Sequence, residues 1–125
     1  MSEDLKPLEW VTSARKDLMS FPEQVRREVG FALYRAQEGK KHIHAKPLKE
    51  FGGAGVLEVV TNNDGNTYRA VYTVRFAEKL YVLHCFQKKS KSGISTPKQE
   101  IELVRTRLKI AESEYKKWQE SQKSS

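Results

Sequence analysis

The stretch VLEVVTNNDGNTYRAVYTVR, residues 56–75, decides the fold. Two runs rich in β-branched and tyrosine side chains flank Asn62, Asn63, Asp64, Gly65 and Asn66, residue types that tolerate the positive φ of a tight turn. The chain is therefore expected to fold back as a hairpin, with strands over residues 56–61 and 67–75. Downstream, a short link at 76–79 leads into residues 80–87, again dense in strand formers, which makes a three-stranded antiparallel meander.

Upstream, residues 8–12 alternate apolar and polar side chains as an edge strand does, and residues 13–19 read as a brief helix. Ser20-Phe21-Pro22-Glu23 then has the form of a capping box, with a hydroxyl three residues before a carboxylate and proline in the first turn. The helix it opens carries Val25, Val29, Ala32, Leu33 and Ala36 on one stripe, and Gly39 is placed to end it. Residues 40–55, with three glycines at Gly52, Gly53 and Gly55, read as a surface loop. The last helix starts with Thr96 as N-cap, Pro97 at its first position and Gln99 completing a box. Its stripe is Ile101, Val104, Leu108, Ala111, Tyr115 and Trp118, with residues 119–125 as a frayed polar tail.

This order indicates a single α+β domain over residues 1–125: two N-terminal helices packed on a small antiparallel sheet, followed by a C-terminal helix. Helices gathered on one face would leave the other face of the sheet partly open. Period-two geometry along the second hairpin strand puts Arg69, Val71, Thr73 and Arg75 on one side.

Charge narrows the function. The 125 residues carry 23 Lys and Arg against 16 Asp and Glu, a net +7, and the excess is concentrated in the middle of the chain. Residues 40–91 hold ten cations and four anions, the localised field of a polyanion binder. No apolar run approaches the ~20 residues that span a bilayer, and the N-terminal residues do not read as a signal peptide, so no membrane partner and a cytoplasmic location are expected. Lone Cys85, inside an apolar run, reads as a buried and inert thiol.

Familiar catalytic patterns do not occur. His42 and His44 fall short of the ligands a zinc ion takes, so no metal is expected. Phe51-Gly52-Gly53-Ala54-Gly55 lacks the Lys-Ser/Thr of a phosphate loop and precedes a strand. What remains is cations on a scaffold: Lys46 and Lys49 entering the sheet, Arg69 and Arg75 on it, Lys88, Lys89 and Lys91 leaving it. Such a set can hold a phosphodiester, and can assist its cleavage if a base takes the proton of the RNA 2′-hydroxyl. Plainer readings stand beside this one. Arg69 and Arg75 also suit cross-strand pairing with Glu58 or Glu78, and Lys88 and Lys89 suit protection of a sheet edge.

The motifs Asp17-Leu-x-x-Phe21-Pro22, Lys46-Pro47-Leu48, Asn63-Asp-Gly65, Tyr68-Arg69-x-x-Tyr72, His84-Cys-Phe86-Gln-Lys88-Lys89-Ser90 and Thr96-Pro97-x-x-Glu100-Ile-Glu102-x-Val-x-x-Arg107 occur in this order. Together they resemble the phage-derived, HigB-like branch of the RelE toxin superfamily. That resemblance implies a curved antiparallel sheet and the toxin of a type II toxin–antitoxin pair, acting in the cytoplasm. It further implies an endoribonuclease that cleaves mRNA on the ribosome with neither metal nor cofactor, and a cognate antitoxin with a helix-turn-helix DNA-binding domain. Position by position, it makes Arg69 the contact to the scissile phosphate, Lys88 and Lys89 the transition-state cations, and Lys46 an assisting cation at the basic position before the sheet. Lys49, Arg75 and Lys91 would extend the RNA-binding surface. The sequence departs from the pattern in residues 56–61, which contain Glu58 and no cation, so no general base is identified. Tyr115 falls on the helix stripe and reads as core, and His84, between Leu83 and Cys85, reads as a structural histidine.

Overall fold

The computed structural model describes residues 5–53, 55–88 and 96–123. Its elements are β1 (Leu8–Trp10), α1 (Ala14–Met19), α2 (Glu23–Gln37), β2 (Ala45–Pro47), a 3-10 turn (Lys49–Phe51), β3 (Val56–Asn63), β4 (Asn66–Thr73), β5 (Leu80–Lys88) and α3 (Lys98–Lys123). The five strands form one sheet in the order β1-β5-β4-β3-β2. β3, β4 and β5 are the expected antiparallel meander, while β1 lies parallel to β5 at one edge.

The hairpin is made by its turn. Asp64 and Gly65 adopt φ of 52° and 80°, and two successive positive-φ residues give the turn whose twist matches that of the flanking strands. Residues 45–47, read from sequence as loop, instead pair with β3 as an edge strand only three residues long. Its Pro47 suits an edge, where the missing N–H breaks no ladder.

Two helix ends differ from the sequence reading. Ser20 does not cap α2; its hydroxyl donates back to the Asp17 carbonyl at 2.6 Å and closes α1, while Pro22 takes the N-cap position. At the other end of α2 the expected glycine stop is present: Gly39 has φ 83°, and Lys40 N–H donates to Arg35 carbonyl at 2.8 Å. α3 stays helical through Lys123, so the frayed tail expected from residue 119 is ordered helix up to that point.

The helices cover both faces of the sheet, not one. Val25, Val29, Ala32, Leu33 and Ala36 of α2 pack with Ala45, Val59, Tyr68, Ala70, Tyr72, Val82 and Cys85. On the opposite face Ile101, Val104, Leu108, Ala111 and Tyr115 of α3 pack with Val56, Val71, Tyr81, Leu83 and Phe86. A strand such as β5, apolar on both sides, has to be covered from both sides. A bulge in β5 sets which residue faces where: Val71 pairs with His84 but Tyr72 with Val82, leaving Leu83 as the extra residue. The sheet is thus the middle of three layers.

Candidate functional site

The register of β2 to β5 gathers the charged residues on the face that bears α3. Lys46 pairs with Glu58, Glu58 with Val71, and Val71 with His84. One step along, Val60 pairs with Arg69 and Arg69 with Phe86, and two residues further Thr67 pairs with Lys88. Because side chains two apart share a face, Lys46, Glu58, Arg69, Phe86 and Lys88 lie on one surface.

Arg69 is buried on that surface. Its Nη1 donates to Glu58 Oε1 at 2.9 Å and to Thr96 Oγ1 at 3.2 Å, while the Thr96 hydroxyl donates to Glu58 Oε2 at 2.7 Å. The three side chains close a triangle in which each carboxylate oxygen has a donor. Thr96 therefore does not serve as the helix cap expected of it; the Pro97 carbonyl accepts the first helical bonds, from Glu100 and Ile101. The Arg69 and Glu58 side chains are 4 % and 9 % exposed, so their charges neutralise each other inside the protein. The partial positive charge at the start of α3 also favours the Glu58 carboxylate beside it.

A second polar chain crosses the layers next to this clamp. Asp17 Oδ2 accepts from Ser13 at 2.9 Å, and Ser13 Oγ accepts from Arg107 Nη2 at 3.1 Å. Arg107 Nη1 reaches the Leu83 carbonyl at 3.0 Å and His84 Nδ1 at 3.3 Å, and His84 Nε2 meets Glu100 Oε1 at 2.6 Å. Arginine can only donate, so Nδ1 of His84 is the acceptor and Nε2 carries the proton given to Glu100. The ring is neutral. Burial lowers its pKa below the ordinary histidine value and Arg107 adds to this, against the opposing pull of Glu100. Phe86 stacks on the same ring at 4.8 Å.

Other residues singled out by sequence lie elsewhere. Lys49 is exposed on the 3-10 turn. Arg75 is past the end of β4, beside Glu50, Phe51, Arg105 and Glu112, and is not brought together with Arg69. Six residues of strand separate the two by roughly 20 Å. Lys89 and Lys91 lie outside the described residues. Tyr115 is core, its hydroxyl donating to Glu78 at 2.8 Å. Sequence reasoning left out Thr96, Glu100 and Arg107 as site residues. Arg107 did carry a signal, since it interrupts an apolar stripe between Val104 and Leu108.

A family model described as phage derived protein Gp49-like matches residues 16–109. No curated protein matches the sequence. Among solved structures the chain is similar to one chain of the toxin–antitoxin complex RelBE2 from Mycobacterium tuberculosis, with 19 % identity and a TM-score of 0.46 over 70 % of this chain and 97 % of that one.

Proposed function

The chain belongs to the Gp49-like family of phage-derived proteins, and on that footing we propose that it is the toxin of a type II toxin–antitoxin pair, an endoribonuclease acting on ribosome-bound mRNA in the cytoplasm. The observation that carries this reading is the placement of Lys46 and Lys88 on the sheet face that holds the Glu58–Arg69–Thr96 clamp. The ladder fixes the backbone of each lysine, so their charges meet a phosphate at set positions.

In this mechanism the RNA 2′-oxygen attacks the adjacent phosphorus, the O2′–P bond forms and the P–O5′ bond breaks. The 2′-hydroxyl gives its proton to water and the departing O5′ takes one from water, so the products are a 2′,3′-cyclic phosphate and a 5′-hydroxyl end. Lys46 and Lys88, with Lys89 beside it in sequence, stabilise the charge that builds on the phosphoryl oxygens, a role that needs no metal or cofactor. Arg69 acts from behind that surface, keeping Glu58 from cancelling the lysine field. Lys49 and Arg75 meet flanking phosphates, as does Lys91. The partner that restrains the activity is an antitoxin with a helix-turn-helix domain.

Expression without a partner should arrest growth, and Lys88→Ala should relieve the arrest at equal protein level. Mapping transcript 5′ ends after induction separates cleavage from binding alone. A harmless wild type at high expression would overturn the toxin reading, and intact transcripts under arrest would overturn the nuclease.

A further inference from the structure

The outer side of α2 carries a second stripe. Arg27, Phe31, Tyr34 and Glu38 follow one another at steps of four, three and four, the spacing with which one helix faces another. Glu38 is the C-cap of α2, and its right-handed helical backbone continues the spiral. The stripe lies away from Val25, Val29, Ala32, Leu33 and Ala36, which face the sheet. Phe31 is 55 % exposed and Tyr34 40 %, so two aromatic rings stand where a surface helix ordinarily carries polar groups. Ile43, 87 % exposed, widens the patch, since it follows His42, whose ring meets Phe31 edge-on at 5.6 Å between centroids.

The helix surface beside the rings is open as well. Gly30 stands one turn before Tyr34, and among the described residues no packing neighbour lies within 4 Å of where its Cβ would be. Glycine weakens a helix interior, and no contact with the rest of the described chain calls for it here. The gap leaves a notch beside Tyr34 that admits a ring from outside.

We propose that this face joins two copies of the chain through antiparallel packing of α2 on α2. The stripe is self-complementary in that direction alone. A two-fold axis midway between Phe31 and Tyr34 sets Arg27 of each copy against Glu38 of the other, and Phe31 against Tyr34. Parallel packing would set Arg27 against Arg27 and Glu38 against Glu38, which repel. Arg27 bonds to Glu23 of its own helix at 2.8 Å, but that pair is exposed and holds the guanidinium weakly. An acidic protein or an anionic membrane fits less well, because Glu38 lies on the stripe itself. α2 covers the sheet face opposite α3, so pairing leaves Lys46 and Lys88 open on both copies. The proposal stands apart from RNA cleavage and survives if the nuclease reading fails.

The test is sedimentation equilibrium of the whole chain, from about 10 μM to about 1 mM. Two copies at +7 repel, so the dimer should be weak, with a Kd on the order of 100 μM. Arg27→Glu and Glu38→Arg each set like charges against each other twice per dimer, and each should raise Kd at least about tenfold. An equimolar mixture of these two variants restores both attractive pairs and should associate about as tightly as the wild type, a result that misfolding of either chain would not give. Phe31→Asp, at an exposed position, should abolish the dimer. A wild type that stays monomeric at the highest concentration overturns the proposal and leaves the face to a different protein. Variants that associate as the wild type does, or a mixture of variants with wild-type circular dichroism that stays monomeric, also overturn it.

Discussion

Arg69 Nη1 donates to Glu58 Oε1 at 2.9 Å, between side chains that are both almost wholly removed from water. The pair sits diagonally across β3 and β4, under the start of α3, and Thr96 bonds to both members. Removing either charge alone leaves the other buried without its counterion. Glu58→Gln or Arg69→Met should therefore each cost about 3 kcal/mol of stability in urea unfolding. The double variant should cost about 2 kcal/mol less than the sum, because neither charge then remains. Additive losses would show that the pair is not a coupled unit.

Lys46 and Lys88 should behave in the opposite way. Lys46 is exposed and Lys88 half-buried, so Lys46→Ala and Lys88→Ala should each change stability by less than about 1 kcal/mol. Each should instead flatten the salt dependence of binding to single-stranded RNA, lowering the slope of log K against log salt by about 0.7. An unchanged slope in both variants would remove these lysines from the phosphate surface.

His84 gives the protein a dependence on pH whose sign follows from its environment. Burial, reinforced by Arg107, lowers the folded-state pKa, so between that value and the ordinary ~6.5 the unfolded chain binds a proton that the native protein refuses. The stabilisation is complete above about pH 6.5 and is lost as pH falls below it, at no more than about 1.4 kcal/mol per pH unit. Urea midpoints at pH 7.5 and 5.5 measure it. His84→Gln, whose side-chain amide can still donate to Glu100, should reduce the difference. If both proteins lose equal stability, carboxylates and not His84 are responsible.

Cys85 is 2 % exposed and burial pushes its thiol pKa up to about 12. The native protein should not react with a disulfide reagent at pH 8, and labelling should appear only at denaturant concentrations that unfold the domain. Rapid labelling in buffer would mean that the β5 edge opens locally.

Much of the fold was legible because it is encoded between near neighbours. Asp64-Gly65 specifies the hairpin turn through its own backbone preferences, and the stripe of Val25, Val29, Ala32, Leu33 and Ala36 specifies the buried side of α2 by spacing alone. The expected stripe of α3 is buried from Ile101 to Tyr115 for the same reason. Arg69 follows from the expected second hairpin strand and Lys88 from the end of the next, whereas Lys46, read as loop, joins them only through β2. Sequence offered Glu58 or Glu78 as partners of the strand arginines; pairing of Glu58 with Val71 brought Glu58 within reach of Arg69, while Glu78 accepts from Tyr115.

What the sequence determined by itself is every element except β2 and the 3-10 turn, the position of the hairpin turn, and a cationic middle suited to polyanions. Tertiary structure alone decided that α3 covers the second face of the sheet, because two amphipathic helices and a doubly apolar strand fit together only when both faces are closed. It also decided that Thr96 spends its hydroxyl on Glu58, 38 positions away, and that Arg107 reaches Ser13, 94 positions away. Helix and strand signals act over four residues or fewer, whereas a buried polar group takes whichever partner the packed layers bring to it. That is why Arg69, which the resemblance made the contact to the scissile phosphate, is found inside the protein, with Lys46 exposed and Lys88 half-buried.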